Sequence, residues 1–558
     1  MGADNYNKAV AYEKLGDTFF DENVNKAFLC YEMAKFYYDL CNGERADLKN
    51  NLNGDSDNNL STEESGKMRK CRLSKDFKVS PVSIVILSYN NKDITIDCIE
   101  SIRRTNPADS YELVVVDNAS TDEVVEYLQK QEDIVLILNK ENRGFAAGCN
   151  QGVLAAKKDN DIFFLNNDTI LCDDSLFWLR MGLYEEADVG AAGSISNDAG
   201  NCQRLEKPYT SKEEWLDFGN SNNVYMDNPY EEKLFLIGFA MLVKRCVLDK
   251  VGLFDVSFAI GNYEDTDLGI RIFDAGYKLL LCYNSFIFHY GKMGFKQRSE
   301  SYTAIMSDNL KIFIDKWGFD AGKYNVPDYD LLSLIEEKKD KPLRILEIGC
   351  GIGTNLARLK HMYPKAYVEG YEENKIIVSK AQKTRNVHRA FYEDVCIGGG
   401  IKAEYVDGFE DGNDFEKNFG EREKEKFDYI ILGEVTSKIC NIEDLLIQLQ
   451  GYLKSDGAFI LSFSNIMHGS VVLPLLNGDV SYSDTGIINK DAKRYYTLKS
   501  VLELMKNCGL KADNLIGIRG CEEEFTKNAA LWNYLKDGLG DDFEQQCVTN
   551  RFIVKAVL

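Results

Sequence analysis

Residues 82–91 read Val-Ser-Ile-Val-Ile-Leu-Ser-Tyr-Asn-Asn, a short apolar run that ends in polar side chains. Similar short apolar runs occur at 113–116, 134–138 and 162–165, and stretches with helical spacing lie between these runs. Short buried strands that alternate with helices are typical of a parallel sheet covered on both faces. The sequence therefore predicts an α/β fold for this part of the chain.

A second alternating block begins near residue 343. It contains further short apolar runs at 344–348, 366–371, 427–432 and 458–462. At 558 residues the chain is also too long for one hydrophobic core. We therefore predict a helical hairpin over 1–45, a polar linker over 46–80, a first α/β domain over 81–325 and a second over 326–558.

The amino-terminal 45 residues predict two amphipathic helices. Their apolar positions share one face and comprise Tyr12, Leu15, Gly16 and Phe19, then Ala27, Tyr31 and Ala34. This spacing resembles a tetratricopeptide hairpin, of which about three are normally needed to bury a continuous core. We expect the hairpin to pack on the next domain. A docking or homodimerisation element is the alternative.

Composition limits the class of protein and its compartment. The net charge of −23 argues against nucleic acid as a partner, because proteins bind nucleic acid through basic surfaces. The 15 cysteines form no Cys-x-x-Cys pair, which favours free thiols in a reducing compartment over disulfides or zinc. No apolar run reaches the ~18–20 residues of a transmembrane helix. We expect a cytoplasmic protein.

Polar side chains follow three of the predicted strands in the first domain. They are Ser88, Tyr89 and Asn90, then Asp117 and Asn118, and then Asn166, Asn167 and Asp168. Ligands of such sheets bind beyond the carboxyl ends of the strands. These side chains are therefore expected to line one crevice.

Six motifs occur in a fixed order in this part of the chain. They are 82–91, Val-Val-Asp-Asn-Ala-Ser at 115–120, Asn-Arg-Gly-Phe-Ala-Ala-Gly-Cys-Asn at 142–150, Leu-Asn-Asn-Asp at 165–168, Tyr-Glu-Asp-Thr-Asp-Leu at 263–268, and His289. Over 82–300 the chain resembles family 2 of the glycosyltransferases, the inverting GT-A type, and within it the rhamnosyltransferase-like members. The resemblance implies a doubly wound mixed sheet and transfer of a sugar from a nucleotide-sugar donor.

The resemblance implies a divalent cation, Mg²⁺ or Mn²⁺, at the donor diphosphate. Asp168 is the expected ligand because hard cations prefer oxygen, and His289 supplies a second ligand that suits Mn²⁺ better. The cation offsets the charge that builds on the leaving group. The alternatives are turn formation for Asn166 and Asn167, and a satisfied core histidine for His289.

The resemblance also assigns the residues that bind the nucleotide-sugar, a dTDP- or UDP-sugar. They are Ser88, Tyr89, Asn90, Asp117, Asn118, Arg143, Asn167 and Asp267. Tyr89 is expected to stack on the base, Asp117 to accept its imide N–H, and Arg143 to meet the base or a phosphate. An N-cap for the following helix is the alternative for Asp117, and both roles can hold at once.

Three carboxylates, Glu264, Asp265 and Asp267, open a predicted helix. Helix capping is one explanation for them, since anions are stabilised near a helix N-terminus. Inverting transfer needs one carboxylate to take the proton from the acceptor hydroxyl. By resemblance Asp265 is the expected base and Glu264 the alternate, while Asp267 orients the loop or the acceptor.

Residues 347–353 read Glu-Ile-Gly-Cys-Gly-Ile-Gly, between a predicted strand and helix. Glu347 would repel a pyrophosphate at this turn, but it suits the ammonium and sulfonium of S-adenosylmethionine. Glu372 ends the next predicted strand and is placed to accept both ribose hydroxyls. The pattern resembles a Rossmann-like class I methyltransferase, which implies cofactor binding by Glu347, Gly349, Gly351, Gly353 and Glu372.

Later segments sharpen the second resemblance. Those at 463–470, 475–478, 486–488 and 494–497 resemble a methyltransferase subfamily often fused to surface-glycan transferases. Two histidines usual in that subfamily are replaced, within Glu-Val-Thr-Ser-Lys at 434–438 and by Asp-Ala at 491–492. His468, with Asn465 beside it, is the remaining candidate base.

These resemblances predict a bifunctional enzyme. It would add a sugar, rhamnose or another hexose, to a glycan or glycoprotein acceptor such as flagellin, and methylate a sugar hydroxyl. A glycosyltransferase with an inactive methyltransferase-like module for binding or assembly is the first alternative. A non-catalytic scaffold built on the hairpin is the second.

Overall fold

The structure is a computed structural model that describes residues 2–49, 60–258, 261–291, 300–381, 387–389, 426–480, 482, 486–520 and 523–558. The chain divides into two compact units, Met1–Asn325 and Val326–Leu558. No helix in the described ranges is long and apolar enough to cross a membrane.

The first unit contains nine strands among its described residues. They are β1 Val82–Ser88, β2 Tyr111–Asp117, β3 Ile134–Leu138, β4 Asp161–Asn166, β5 Thr169–Leu171, β6 Val189–Ile195, β7 Tyr230–Lys233, β8 Ala240–Val243 and β9 Lys278–His289. Its α-helices are α1 Gly2–Phe19, α2 Val24–Lys49, α3 Leu60–Arg72, α4 Lys92–Thr105, α5 Val124–Leu128, α6 Phe145–Ala155, α7 Ser175–Leu183, α8 Lys212–Asn222, α9 Arg245–Val251, α10 Glu264–Asp274 and α11 Glu300–Trp317.

One mixed sheet forms the centre of this unit, in the order β3-β2-β1-β4-β8-β6-β9-β5, with β7 paired to β9. Strands β1 to β4 are parallel, whereas β8 runs antiparallel between β4 and β6. The strand order reverses between β1 and β4, the position at which open α/β sheets leave a crevice. The carboxyl ends of β1, β2 and β4 therefore open at one edge.

The chain turns sharply where β1 ends. Asn90 and Asn91 have φ values of 57° and 61°. This is a left-handed conformation that asparagine tolerates better than most residues. The Asn90 N–H donates to Ser120 Oγ at 2.8 Å, and Asn90 Oδ1 accepts from the Thr121 N–H at 2.8 Å. These bonds lock the loops after β1 and β2 together.

The amino-terminal hairpin packs on α7, as expected. Tyr12 meets the Phe177 ring edge-on at 4.9 Å between ring centres, and the Tyr37 hydroxyl donates to Asp174 Oδ1 at 2.6 Å. Buried side chains of α1, α2 and the sheet belong to one hydrophobic cluster. The hairpin thus buries its apolar face against the domain that follows it.

The predicted linker over 46–80 is wrong in part. Residues 46–49 end α2, and Leu60–Arg72 forms α3, while 50–59 lie outside the described residues. Lys67 on α3 donates to Glu13 at 2.8 Å and to Asp17 at 2.9 Å on α1. This polar segment therefore forms ion pairs with the hairpin, which its composition alone does not predict.

The second unit has seven described strands in the order β12-β11-β10-β13-β14-β16-β15. They are β10 Arg344–Ile348, β11 Tyr367–Glu372, β12 Val387–Arg389, β13 Phe427–Leu432, β14 Leu453–Ser464, β15 Lys511–Arg519 and β16 Thr549–Val557. The described helices are α12 Tyr329–Leu332, α13 Thr354–Met362, α14 Lys375–Ala381, α15 Ile442–Gln450, α16 Gly469–Leu476, α17 Leu498–Asn507, α18 Glu523–Lys527, α19 Ala529–Leu539 and α20 Asp541–Val548.

Strands β10 to β14 are parallel, and β16 inserts antiparallel between β14 and β15. The order reverses between β10 and β13, next to the glycine turn that follows β10. The predicted fold class is confirmed: a mixed α/β sheet domain is followed by a second sheet domain, with helices at the amino terminus.

Candidate functional site

The first candidate site lies at the carboxyl ends of β1 and β2. Ser88 Oγ and Asp117 Oδ1 are buried and have no hydrogen-bond partner among the described residues. A buried acceptor left unpaired costs about 1–3 kcal/mol, which a ligand donor can recover. Tyr89, next to Ser88, is 47% exposed and presents its ring at this edge.

The second carboxylate oxygen of Asp117 has a structural task. Oδ2 accepts from the Ser120 N–H at 3.0 Å and closes the turn after β2. Helix α5 begins later, at Val124, and Glu123 occupies its N-cap position. The N-cap alternative for Asp117 is therefore wrong, because the turn separates it from the helix.

Asn118 holds the loop that carries Arg143. Its Oδ1 accepts from the Arg143 N–H at 2.9 Å, and its Nδ2 donates to Asn142 Oδ1 at 2.8 Å. The Arg143 side chain itself is exposed. Asn118 thus fixes the backbone of the loop, on which Arg143 and Lys140 are exposed cations.

Asp168 and His289 come together although they are far apart in sequence. The distance between Asp168 Oδ1 and His289 Nε2 is 3.1 Å, and both side chains are mostly buried. Strand β5 causes the approach, because it follows Asp168 directly and pairs with the end of β9 at His289. Asn167 points elsewhere, since its Nδ2 donates to Thr95 Oγ1 at 2.9 Å.

The hydrogen bonds of His289 fit a metal ligand. Nδ1 lies 2.6 Å from the Asp198 carbonyl oxygen, which only accepts, so Nδ1 carries a proton. Nε2 then faces the Asp168 carboxylate. Burial by itself would lower the pKa of His289, but Asp168 and the Asp198 carbonyl raise it above its usual range. Either an imidazolium or a cation between the two side chains satisfies this geometry.

No group of three His, Cys, Asp or Glu side chains that could hold a metal ion occurs among the described residues. The Asp168–His289 pair therefore offers two protein ligands, one oxygen and one nitrogen. A divalent cation held by this pair would need further oxygen ligands from a bound molecule or water.

The three residues that precede the acidic first turn of α10 have a strained backbone. Gly261, Asn262 and Tyr263 have φ values of 130°, 76° and 73°. Non-glycine residues adopt such angles at a cost. Asn309 on α11 holds this stretch, donating to the carbonyls of Gly261 and Asn262 at 3.0 and 3.1 Å. Directly after this bend, the side chains of Glu264 and Asp265 are buried.

Glu264 and Asp265 are both buried, but their hydrogen bonds differ. Asp265 Oδ2 accepts from the Gly238 N–H at 2.9 Å, and Oδ1 accepts from the Thr266 N–H at 2.6 Å. Glu264 Oε2 is buried without a partner among the described residues. Burial, followed by the charge of Asp265, raises the pKa of Glu264, and burial raises the pKa of Asp265. One proton is therefore readily retained by the pair.

Residues 238 and 239 join the acidic pair to the Asp168–His289 pair. The Gly238 N–H bonds Asp265, while the Phe239 ring stacks on the His289 ring at 5.1 Å and 22°. The Phe239 carbonyl also accepts from the Asn166 N–H at 2.8 Å. The two polar pairs therefore flank one short segment.

Asp267 is not placed to contact a nucleotide-sugar, contrary to the prediction. It is fully buried. Its Oδ1 accepts from Trp317 Nε1 at 2.9 Å and pairs with Lys316 Nζ at 2.7 Å, and its Oδ2 accepts from Arg271 Nε at 2.9 Å. Asp267 instead ties α10 to α11, as an orienting residue of the acidic segment.

The second candidate site is built on the glycine turn after β10. Gly349, Gly351 and Gly353 all have positive φ, at 75°, 55° and 80°. A Cβ at Gly349 would lie 2.6 Å from Val435 Cβ, so the position admits only glycine without a shift. The Tyr371 carbonyl accepts from the Gly349 N–H at 2.8 Å, which fixes the turn against β11.

Glu347 and Glu372 both lie at this turn. Glu347 Oε1 accepts from Asn355 Nδ2 at 2.7 Å, while Oε2 is buried with no partner among the described residues. Burial raises the pKa of Glu347 to about 8. Glu372 accepts from the Gly351 N–H and the Asn374 N–H, both at 2.9 Å. The Glu372 carboxylate therefore lies beside the glycine turn and helps to fix its backbone.

His468 is not placed to act as a base. It is buried, and its Nδ1 accepts from the Ser470 N–H at 3.3 Å as the N-cap of α16. The proton of the neutral ring is thus on Nε2, which is buried without a partner against Gly520. Burial lowers the pKa of His468. Asn465 beside it is buried and bonds the carbonyls of Gln546 and Thr549.

Several positioning residues were not predicted. Asn355 bonds the Glu347 side chain and Asn197 bonds the His289 backbone, while Asn309 bonds the carbonyls of Gly261 and Asn262 just before Glu264. Only Asn355 had a signal in the sequence, because it lies within the first turn of the helix that the glycine motif opens. Contacts between distant segments placed the other two.

Comparison with known protein families agrees with this division. Residues 83–252 match the model of glycosyl transferase family 2, and residues 323–515 match a methyltransferase domain model. The first match ends before Glu264 and His289. The chain thus contains a family 2 glycosyltransferase domain and a methyltransferase domain, as predicted.

Individual relatives cover only part of the chain. An uncharacterised glycosyltransferase of Bacillus subtilis, YfnE, is 27% identical over 238 residues, 35% of this chain and 60% of its own length. The malonyl-[acyl-carrier protein] O-methyltransferase of Bacillus cereus is 24% identical over 182 residues, 32% of this chain and 59% of its own. The chain therefore spans less than two thirds of either relative.

Among solved structures, the mannosyltransferase PcManGT from Pyrobaculum calidifontis, in complex with GDP-Man and Mn²⁺, is similar at a TM-score of 0.32 and 15% identity. The match covers 51% of this chain and 72% of that one.

The burial of Asp267 yields a test of its role. We expect Asp267→Asn to destabilise the first unit by about 3 kcal/mol or more, because an amide cannot pair with Lys316 and Arg271 together. Thermal unfolding would measure the loss. Nucleotide affinity of the folded fraction should stay unchanged, and Asp315→Asn on the exposed face of α11 is the control. Selective loss of nucleotide binding at unchanged stability would restore the predicted contact.

Proposed function

We propose that the protein is a bifunctional transferase. Its first domain transfers a sugar from a nucleotide-sugar donor with inversion and with a divalent metal ion. Its second domain binds S-adenosylmethionine and methylates a sugar hydroxyl. The main support for the first activity is the position of residues 238 and 239, which contact Asp265 on one side and His289 on the other.

Donor binding is proposed at the carboxyl ends of β1, β2 and β4. The Tyr89 ring stacks on the base, and the unpaired Asp117 Oδ1 accepts its imide N–H. Arg143, an exposed cation on a loop held by Asn118, meets the base or a phosphate. Asp168 and His289 hold Mg²⁺ or Mn²⁺, and the ion supplies charge stabilisation to the diphosphate leaving group.

Sugar transfer itself is proposed to use Asp265 as the base. Asp265 takes the proton of the acceptor hydroxyl, the acceptor oxygen bonds to the anomeric carbon, and the bond to the diphosphate breaks on the opposite face. The N–H groups of Gly238 and Thr266 fix the carboxylate for this step. Glu264, whose pKa is raised by burial and by the charge of Asp265, is the alternate base.

The substrate class follows from the resemblance of the motifs. We propose a dTDP- or UDP-sugar donor, with rhamnose or another hexose, and a glycan or glycoprotein acceptor such as flagellin. The uracil and thymine bases differ by one methyl group, worth about 1–3 kcal/mol in a pocket. A cytoplasmic location agrees with the free cysteines of the described chain.

A donor panel tests the first activity. Release of nucleoside diphosphate would be measured from dTDP-rhamnose, UDP-GlcNAc, UDP-glucose and GDP-mannose, with Mg²⁺ or Mn²⁺. We expect metal-dependent turnover of one donor, lost in Asp168→Ala because one of two protein ligands is removed. Asp173→Ala, a partly exposed carboxylate in the same unit, should retain turnover. Turnover that survives both chelation and Asp168→Ala would contradict the proposal.

The acidic pair predicts a characteristic pH dependence. A raised carboxyl pKa keeps the base protonated at low pH, so kcat/KM should rise with pH above the ordinary carboxyl range, about 4. Asp265→Asn should lower kcat by about 10²–10⁴. Glu264→Gln should retain activity and leave the acid limb in place, because burial and the charge of Asp265 already keep the Glu264 carboxyl protonated in this pH range.

Full activity in Asp265→Asn together with loss in Glu264→Gln would exchange the two assignments. An acid limb that moves to lower pH in Glu264→Gln would mean that Glu264 is ionised beside Asp265, contrary to its raised pKa.

In the second domain, Glu347 is proposed to bind the ammonium of S-adenosylmethionine through its unpaired Oε2. Glu372 accepts the ribose hydroxyls, and the glycine turn, including Gly349, Gly351 and Gly353, lets the ligand approach the backbone. When bound, the cofactor supplies an electrophilic methyl group. The support is a buried carboxylate with one oxygen left unpaired among the described residues.

Affinity for S-adenosylmethionine should rise with pH. The folded apo protein holds a proton on Glu347 up to about pH 8, and a cationic ligand binds the carboxylate, so binding at lower pH must release that proton. We expect Kd to fall up to about tenfold per pH unit between pH 5.5 and 7.5. Calorimetry in two buffers of different ionisation enthalpy would measure proton release.

Glu347→Gln should bind weakly and with little pH dependence. Glu369→Gln is the matched control, because Glu369 is equally buried in the neighbouring strand but accepts from the hydroxyls of Tyr367 and Tyr371. A wild-type Kd that is flat over this range would contradict a protonated Glu347.

A second candidate function rests on the position of His468. Its burial as an N-cap removes the base that the sequence predicted. The methyltransferase domain would then bind S-adenosylmethionine and serve as a binding or assembly module. Methyl transfer from labelled S-adenosylmethionine to the glycosylated product would rule this function out. Tight binding without transfer would support it.

A further inference from the structure

Asn197 makes two hydrogen bonds to the backbone of His289. Its Oδ1 accepts from the His289 N–H at 2.8 Å, and its Nδ2 donates to the His289 carbonyl at 2.8 Å. A primary amide that pairs with both backbone groups of one residue acts as a short piece of β-strand. Asn197 therefore fixes the backbone from which the His289 ring extends.

The pairing of the strands around β9 explains why Asn197 reaches the His289 backbone. Strand β6 pairs in parallel with β9, with Ile195 opposite Phe286, and then ends. On its other side β9 pairs with β5, which places Thr169 opposite His289 and brings Asp168 alongside. Asn197 continues the β6 side of the ladder through its side chain. The end of β9 is thus held on both edges at the residue that faces Asp168.

The next residue fixes the ring. The Asp198 carbonyl accepts from His289 Nδ1 at 2.6 Å, and Phe239 covers one ring face at 5.1 Å. With the backbone and Nδ1 both held, the lone pair of the neutral ring on Nε2 is aimed at Asp168. Partners of this kind orient metal-binding histidines and set their affinity.

We propose that Asn197 is a positioning residue for metal binding by His289, acting through the His289 backbone. The inference rests on the proposed metal-dependent glycosyl transfer. It predicts that metal affinity depends on Asn197 and that this dependence disappears when the imidazole is removed.

The protein contains a matched control. Asn223 makes the same pair of hydrogen bonds to Phe286, earlier in β9, at 2.6 Å to the N–H and 3.1 Å to the carbonyl. The side chain that Asn223 positions is a phenyl ring, which cannot bind a metal. A purely structural role predicts that Asn197→Ala and Asn223→Ala behave alike, whereas a positioning role predicts that only Asn197→Ala weakens metal binding.

The experiment measures Mn²⁺ affinity of the full chain by electron paramagnetic resonance of free Mn²⁺, at saturating UDP and against a UDP blank. Wild type is compared with Asn197→Ala, Asn223→Ala, Asp168→Ala, His289→Ala and the Asn197→Ala/His289→Ala double variant. We expect Asn197→Ala to lose about 10–100-fold in affinity. Asn223→Ala should stay within about threefold, and the double variant should match His289→Ala.

Equal affinities for Asn197→Ala and Asn223→Ala, or additive losses in the double variant, would overturn the positioning role while leaving the metal site intact. A wild-type affinity that neither His289→Ala nor Asp168→Ala changes would instead overturn the proposed metal ligands, and the inference with them. Thermal unfolding of each variant separates both results from loss of fold.

Discussion

The hydrogen bond from the Gly238 N–H to Asp265 Oδ2 connects the two halves of the first site. Asp265 lies in the first turn of α10, directly after the strained residues 261–263, and the residue after Gly238 stacks on His289. The proposed base and the Asp168–His289 pair are thereby connected through residues 238 and 239. This hydrogen bond therefore links the start of α10, which follows the strained residues 261–263, to the segment that precedes β8.

Both candidate sites keep a buried carboxylate oxygen without a partner among the described residues. Glu264 Oε2, Asp117 Oδ1 and Glu347 Oε2 share this property. Each costs about 1–3 kcal/mol in the free protein, and each can regain that energy when a ligand donates to it. The same burial raises the pKa of Glu264 and of Glu347, so the proposed binding of a cationic ligand at Glu347 would be linked to the release of a proton.

The sequence predicted the sheets well and the side-chain roles less well. Apolar runs such as 82–87 and 344–348 mark buried parallel strands, and polar residues at their ends mark the crevice, because both features are local. Asp267 and His468 were assigned wrongly, since acidic and aromatic residues at helix starts look alike whether they face a ligand or the core. Only contacts with Trp317 and Ser470 separate the two cases.

The helix Leu60–Arg72 and the role of Asn197 were also beyond local patterns. The first depends on charge pairs with α1, and the second on the register between β6 and β9. Both are set by segments that lie far away along the chain. Spacing within the motifs therefore predicted the two domain classes, while contacts between distant segments determine how the individual side chains are held.

We propose that this one chain carries two sites that bind their ligands independently. Equilibrium binding of Mn²⁺-UDP and labelled S-adenosylmethionine to the full chain, each alone and both together, would test this. We predict one equivalent of each, bound simultaneously, with only the first lost in Asp168→Ala and only the second lost in Glu347→Gln. Competition between the ligands, or loss of both in either variant, would contradict the account.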